Sequence, residues 1–315
     1  MTDSDSPAAA STDAPKVAVG PEGLRDYLGG VIIAAGANVA DVSDADALVW
    51  ADPGDVDGLR AALEINPGLR WVQLPFAGVD KMIGLIDRDR VWTSAKGVYG
   101  DPVAEHALGL AIAGMRNIAS FARMTYWDRP RGRSLFGANV TILGAGGLAT
   151  SLARVLAPFN VSLTVLRRKA EPFPGAKFTG TLDDLDSVLP DTDVLFITVP
   201  LTPVTTGLID ARRLAIMSDH SWLINIGRGQ HVVTDDLVAA LEAKSIGGAA
   251  LDVTDPEPLP EGHPLWSLDN CIITPHSANT PAMSVVPFSK RVTDNVQRFA
   301  RGEELLGIVD PDAGF

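Results

Sequence analysis

Short apolar runs alternate with stretches of helical spacing along most of this chain. Residues 16–20, 47–50, 71–74 and 91–94 are runs of strand length. Between them, 56–63 suits a helix, 21–28 reads as a helix start, and another helix is expected from about Lys81. Ala51-Asp52-Pro53-Gly54 reads as a turn. The first ninety-odd residues therefore predict a small α/β domain.

The alternation continues beyond residue 100. Pro102 sits where the first turn of a long helix over 103–124 would begin, and Ala107, Leu108, Leu110, Ala111, Ala113 and Met115 make it a buried one. A polar, proline-containing connection spans 127–134. Strands are then predicted at 140–143, 161–166, 194–199, 222–226, 248–253 and 271–274. A last helix covers 282–301, and residues 305–310 read as a tail packing back on the first domain. Tyr99, Trp127 and Trp266 read as core rather than pocket lining.

The most informative stretch joins the first two of those later strands. Gly144-Ala145-Gly146-Gly147-Leu148-Ala149 follows the strand directly, and Leu148, Leu152, Val155 and Leu156 continue at helical spacing. Gly144 permits a tight turn, Gly146 lets backbone approach a pyrophosphate, and Ala149 is small enough for the helix to pack on the strand. The helix N-terminus then offers N–H groups and a positive dipole end to phosphates. A glycine pattern alone is weak evidence; within a strand–turn–helix–strand unit it predicts a dinucleotide site. NAD sites carry an acidic residue roughly 20 positions on. Here Arg167 stands 23 positions beyond Gly144, followed by Arg168 and Lys169. These cations suit the 2′-phosphate of NADP, with NAD as the alternative; a solvated basic strand end is the bland reading.

Three later strands end in residues that carry chemistry. Arg228 follows 222–226, Glu257 follows 248–253 and His276 follows 271–274. Hydride transfer to a 2-oxo acid needs a cation for the carboxylate, and the planar fork of Arg228 bonds one bidentately. It needs an acid for the new alkoxide, and His276 is the natural donor near neutral pH. A carboxylate beside that histidine orients the ring and favours imidazolium, a role open to Glu257. Taken singly, each has a bland reading: a surface ion-pair partner, a solvated loop glutamate, an incidental histidine. Among the other histidines, His106 lies on the apolar long helix and reads as structural, while His263 reads as turn.

Composition narrows the field. The chain has 315 residues, 46% hydrophobic, enough for two domains with their own cores. A formal charge of −13 argues against non-specific nucleic-acid binding. The single cysteine, Cys271, excludes an internal disulfide. No His/Cys/Asp/Glu cluster has metal-ligand spacing, and no G-x-S-x-G elbow occurs. Residues 1–14 are polar and acidic, read as a disordered tail and not as a signal peptide. The uncharged stretch 134–153 contains four glycines and several polar residues, so it reads as strand, turn and helix, not as a membrane span. A soluble, cytoplasmic protein is expected.

The joint pattern closely resembles the D-isomer-specific 2-hydroxyacid dehydrogenases from about residue 45 to the end. The resemblance rests on Val103-Ala104-Glu105-His106, GAGGLA at 144–149, VPLTPVTTGLI at 199–209, INIGRG at 224–229, LDVTDPEPLP at 251–260, HPLW at 263–266 and ITPHSA at 273–278. It implies a Rossmann-type doubly wound parallel sheet (99–283) inserted into a smaller flavodoxin-like α/β substrate domain (15–98 and 284–315), and a homodimer. It implies a catalytic trio of Arg228, Glu257 and His276, with Ala77, Gly78 and Val79 joining Arg228 and His276 at the substrate. Cofactor contacts are implied at Gly144, Gly146, Gly147, Leu148, Arg167, Arg168, Val199, Pro200, Thr205, Ile226, Gly227, Asp252 and Ser277. The basic pair at 167–168 is similar to NADPH-dependent glyoxylate/hydroxypyruvate reductases. Glutamate at 257 argues against formate dehydrogenase, whose members have glutamine there. The acidic loop 49–53 and the lack of an extra C-terminal regulatory domain rank a phosphoglycerate dehydrogenase-like activity second, and a nucleotide-sensing corepressor-like role behind it.

Overall fold

The computed structural model describes residues 14–312 and Gly314. All but the last residue of the expected disordered tail lies outside the described residues. Two compact units are present: one takes the chain up to Lys96 and again from Val285, the other is Gly97–Ser284. The chain opens with β1 (Lys16–Gly20), α1 (Tyr27–Ala34), β2 (Asn38–Val39), β3 (Ala47–Trp50), α2 (Val56–Ile65), β4 (Trp71–Gln73) and β5 (Val91–Thr93). There follow α3 (Gly100–Met115), α4 (Ile118–Ala122), β6 (Asn139–Leu143), α5 (Gly147–Leu156), β7 (Ser162–Leu166), β8 (Phe178–Gly180) and α6 (Leu185–Val188). Then come β9 (Val194–Ile197), α7 (Ala211–Ile216), β10 (Trp222–Asn225), α8 (Thr234–Glu242), β11 (Gly248–Leu251), β12 (Cys271–Ile273) and α9 (Pro281–Arg301).

In the first unit the strands pair in parallel in the order β2-β1-β3-β4-β5, the flavodoxin-like winding. Leu48, Trp50, Val72, Leu74 and Trp92 pack with Leu59 and Ala62 of α2. Buried polar groups tie the end of the chain to this sheet. Gln73 Oε1 accepts from Thr93 Oγ1 at 2.9 Å and from Asn295 Nδ2 at 2.8 Å, and Asn295 Oδ1 accepts from Leu306 N at 2.7 Å. The tail completes the unit through an antiparallel bridge between Thr93 and Ile308 and the burial of Val309.

The second unit holds a seven-stranded parallel sheet, ordered β12-β11-β10-β9-β6-β7-β8. Successive strand side chains point to opposite faces, and here both faces are apolar, as helices on both sides demand. Val194, Phe196, Trp222 and Ile224 pack with Ala107 and Leu110 of α3 and Leu152 and Leu156 of α5. Leu195, Ile197, Leu223 and Leu251 face Leu214 of α7 and Leu237 and Leu241 of α8. The order reverses between β6 and β9, and at such a switch point ligands bind beyond the strands' carboxyl ends. Among the described residues no helix is long and apolar enough to cross a membrane.

Several expectations need correction. The helix expected from 21 begins only at Tyr27, because Gly23 (φ 79°) and Arg25 (φ 57°) turn the chain first. The helix expected from Lys81 is a single 3₁₀ turn, Ile83–Leu85; Asp87 Oδ1 then accepts from the N–H groups of Asp89 and Arg90 and turns the chain toward β5. The long helix over 103–124 stops at Met115, since Asn117 (φ 55°) breaks it and α4 starts afresh. Tyr99 is buried, but Trp127 is 99% exposed and Trp266 half-exposed, so neither tryptophan is core.

Candidate active site

The turn between β6 and α5 is built as its glycines suggest. Gly144 has φ 111°, and a Cβ there would lie 2.6 Å from Thr198 Oγ1 and 3.1 Å from the Thr198 carbonyl carbon. Only glycine fits that backbone. A Cβ on Gly146 would meet nothing within 4 Å, so the space beside it is open. Gly147 begins α5 with no side-chain cap, Leu148 leans into the core, and Ala149 is fully buried. The positive end of the helix thus faces an open, glycine-walled space, which fits the pyrophosphate of a dinucleotide. A second sign of a ligand lies three residues beyond His276: both amide atoms of Asn279 are buried without a hydrogen-bond partner.

At the end of β7, Arg167 donates from Nη2 to Glu171 Oε2 at 3.2 Å and from Nη1 to Glu171 O at 3.3 Å. Arg168 and Lys169 are exposed. Past β9, Val199 is buried and Pro200 exposed; Thr205 Oγ1 donates to Pro200 O at 2.7 Å. His231 holds this loop to the next one, a role the sequence did not single out. Fully buried, it sets Nδ1 3.0 Å from Thr205 O and Nε2 3.1 Å from Val199 O.

Ile226 is buried where β10 ends, and Asn225 shapes the turn that follows. Its Nδ2 donates to Arg228 O at 2.8 Å and its Oδ1 accepts from Gly227 N at 3.1 Å. Arg228 is half-buried, with Nη1 on Gly227 O at 2.8 Å. The next residue meets the following loop: a Cβ on Gly229 would lie 1.9 Å from Thr254 O. That loop carries Glu257, whose Oε2 accepts from Thr254 N at 3.4 Å.

Glu257 Oε1 and His276 Nδ1 are 2.9 Å apart. The carboxylate only accepts, so Nδ1 carries the hydrogen and Nε2 is the nitrogen left to face a substrate. Glu257 and His276 are therefore in direct contact, whereas the tie between Arg228 and the Glu257 loop is the close approach of the Gly229 backbone to Thr254. His276 itself has φ 50°, left-handed for a residue with a Cβ.

Asp252 is almost fully buried, its side chain 2% exposed. Burial pushes its carboxyl up, but hydrogen bonds from His106, Thr274 and the N–H groups of Ser277 and Ala278 outweigh it and bring it to about 2. Ser277 enters the site through this backbone bond, 2.9 Å to Asp252 Oδ1. In the first unit, the loop after β4 exposes Ala77 and Gly78 and buries Val79. Among the described residues no group of three or more His, Cys, Asp and Glu gathers as around a metal ion.

The chain is similar to known proteins in sequence and in fold. The model of the D-isomer specific 2-hydroxyacid dehydrogenase NAD binding domain matches residues 108–278. A glyoxylate reductase of Thermofilum pendens is 32% identical over 288 residues, covering 86% of this chain and 83% of its own. A D-isomer specific 2-hydroxyacid dehydrogenase from Xanthobacter autotrophicus Py2, solved with NADPH and MES, superposes with a TM-score of 0.83 at 26% identity, covering 96% of this chain and all of that one. An NADPH-dependent glyoxylate/hydroxypyruvate reductase from Sinorhizobium meliloti, solved with NADP and sulfate, gives 0.80 at 26% identity over 96% of this chain and all of that one. A parallel sheet wound about its switch point, a glycine turn open to a pyrophosphate and a match over more than half its length agree: the chain belongs to the D-isomer specific 2-hydroxyacid dehydrogenases, NAD(P)-dependent oxidoreductases.

Proposed function

We propose that this enzyme reduces a small 2-oxo acid, glyoxylate or hydroxypyruvate, to the D-2-hydroxy acid with NADPH. The observation that carries the reading is the 2.9 Å contact between Glu257 and His276 Nδ1, which leaves Nε2 as the acid. Arg228 binds the substrate carboxylate and polarises the carbonyl. In the first unit, we assign the loop at Ala77, Gly78 and Val79 a substrate-binding role through its backbone N–H groups. When bound, NADPH supplies the hydride for C2; His276 gives its Nε2 proton to the oxygen, and Glu257 stabilises the ring through the exchange. Gly144, Gly146, Gly147 and Leu148 take the pyrophosphate, and Arg167 and Arg168 the 2′-phosphate. Val199, Pro200, Thr205, Ile226, Gly227, Asp252 and Ser277 form the nicotinamide side. The named activities of the Thermofilum and Sinorhizobium proteins, and the NADPH and NADP of the two solved structures, support this reading.

The enzyme acts in the cytoplasm as a homodimer. Tyr126, Trp127 and Phe136 are large, exposed side chains of the kind a second copy would cover. The test is steady-state oxidation of NADPH and NADH with glyoxylate, hydroxypyruvate, pyruvate and phosphohydroxypyruvate, by the wild type and by His276→Ala. Fast NADPH-linked reduction of the first two, lost in His276→Ala with NADPH binding retained, is expected. Activity confined to phosphohydroxypyruvate, or an unchanged rate in His276→Ala, would overturn it.

A further inference from the structure

We propose that His106 is a positioning residue for the reaction: it braces Asp252, and Asp252 holds the backbone that presents His276. The inference rests on the reading of His276 as the acid. Three consecutive N–H groups converge on Asp252. His276 N donates to its carbonyl oxygen at 2.9 Å, Ser277 N to Oδ1 at 2.9 Å and Ala278 N to Oδ2 at 3.0 Å. This gathering keeps His276 at φ 50°, a conformation unfavourable for a residue with a Cβ that persists only where neighbours enforce it.

The Asp252 carboxylate is in turn held from α3 and from Thr274, just past β12. Thr274 Oγ1 donates to Asp252 Oδ1 at 2.6 Å. His106 Nε2 lies 3.0 Å from Thr274 Oγ1 and 3.3 Å from Asp252 Oδ1. Since the threonine hydrogen is committed to the carboxylate, its oxygen accepts, and one Nε2–H serves both partners. His106 is thus the donor reaching this carboxylate from a helix, α3, and its ring is three-quarters buried. Removing that donor takes away the hold from α3 and leaves the carboxylate to Thr274 and the N–H groups of 277 and 278, which shift with it. A displaced His276 protonates the alkoxide poorly, yet the pyrophosphate turn at 144–147 is untouched.

The experiment compares His106→Leu, of similar bulk without a donor, with His106→Gln, whose Nε2–H reaches the same place. Both are measured for kcat, for KM of NADPH and the 2-oxo acid, and for thermal midpoint. His106→Leu is expected to lower kcat roughly 10- to 100-fold, the scale of a misplaced catalytic group, a larger factor than the accompanying rise in KM for NADPH, to which Asp252 and Ser277 also contribute on the nicotinamide side. His106→Gln is expected to recover most of kcat. Wild-type kcat in His106→Leu, or an equal fall in His106→Gln, would overturn the proposal. Should His106→Leu not fold, His106→Asn, whose amide falls a bond short, takes its place against His106→Gln with the same expected ordering. His276→Ala separates the two readings: if it turns over normally, the acid assignment fails whatever His106 does.

Discussion

Gly146→Ala isolates the ligand from the fold. With φ −80° and ψ −171°, Gly146 occupies extended backbone that alanine adopts freely, and its Cβ would meet no protein atom within 4 Å. Losing glycine's freedom in the unfolded chain stabilises by about 0.4–1 kcal/mol. Alanine is a poorer N-cap than glycine by a similar amount, so net stability should barely move. The methyl does fill the space through which a pyrophosphate would approach the backbone. Pushing the phosphate back by about a methyl radius breaks one or two charge-assisted hydrogen bonds of about 1.5–3 kcal/mol each, a loss of at least tenfold in NADPH affinity. Gly144→Ala behaves differently: at φ 111° and 2.6 Å from Thr198 Oγ1, the methyl collides with the turn itself. Its cost should be about 2–4 kcal/mol of stability. Both variants are read by NADPH titration of tryptophan fluorescence and by thermal unfolding. The refuting result is wild-type NADPH affinity in Gly146→Ala, or a loss of affinity that appears only with a fall in melting temperature as large as that of Gly144→Ala.

Two further outcomes are expected. In Gly229→Ala the Cβ would sit 1.9 Å from Thr254 O and 2.5 Å from Asp255 N, so the loops bearing Arg228 and Glu257 must part by over an ångström. Turnover should fall ~100-fold, and near-normal kcat would show that the two loops relax independently. Asp252 has its carboxyl at about 2 when folded, below the ordinary 3.8. Its contribution, about 2 kcal/mol, is complete above about pH 4 and is lost as pH falls through about 2. Urea midpoints between pH 5 and pH 2.5 should therefore drop more steeply for wild type than for Asp252→Asn, and parallel slopes would contradict the assignment.

Much of this was legible in the chain because it is local. The β6–turn–α5 unit declares itself within residues 139–156, since strand period, glycine spacing and helical spacing follow one another. Glu257 and His276 were legible because each ends a short apolar run in a parallel sheet, where neighbouring strand ends are brought together. What escaped was long-range or masked by apolarity. Helical spacing continues through Asn117, so only its left-handed backbone reveals the break before α4. Edge strands β2 and β8, of two and three residues, are too short to leave a period. His106 read as structural because its helix is apolar; its partner Thr274 lies 168 residues away. Arg167 read as one of three cations suited to a 2′-phosphate, and the glutamate four residues on that engages it was not weighed.

The first unit is written in two instalments. Gln73 meets Asn295 across 222 residues, and Phe288, Val292 and Val296, all fully buried, come from the far end of the chain. At 5–20 residues per second, synthesis separates the two by on the order of 10–40 s. During that interval the early strands exist without the helix that seals them, while the continuous unit 97–284 can already have folded. A ribosome that stalls before α9 would thus release a chain with one finished unit and one exposed sheet, a natural target for holding chaperones. Any tag or fusion that hinders the last thirty residues should damage the first ninety.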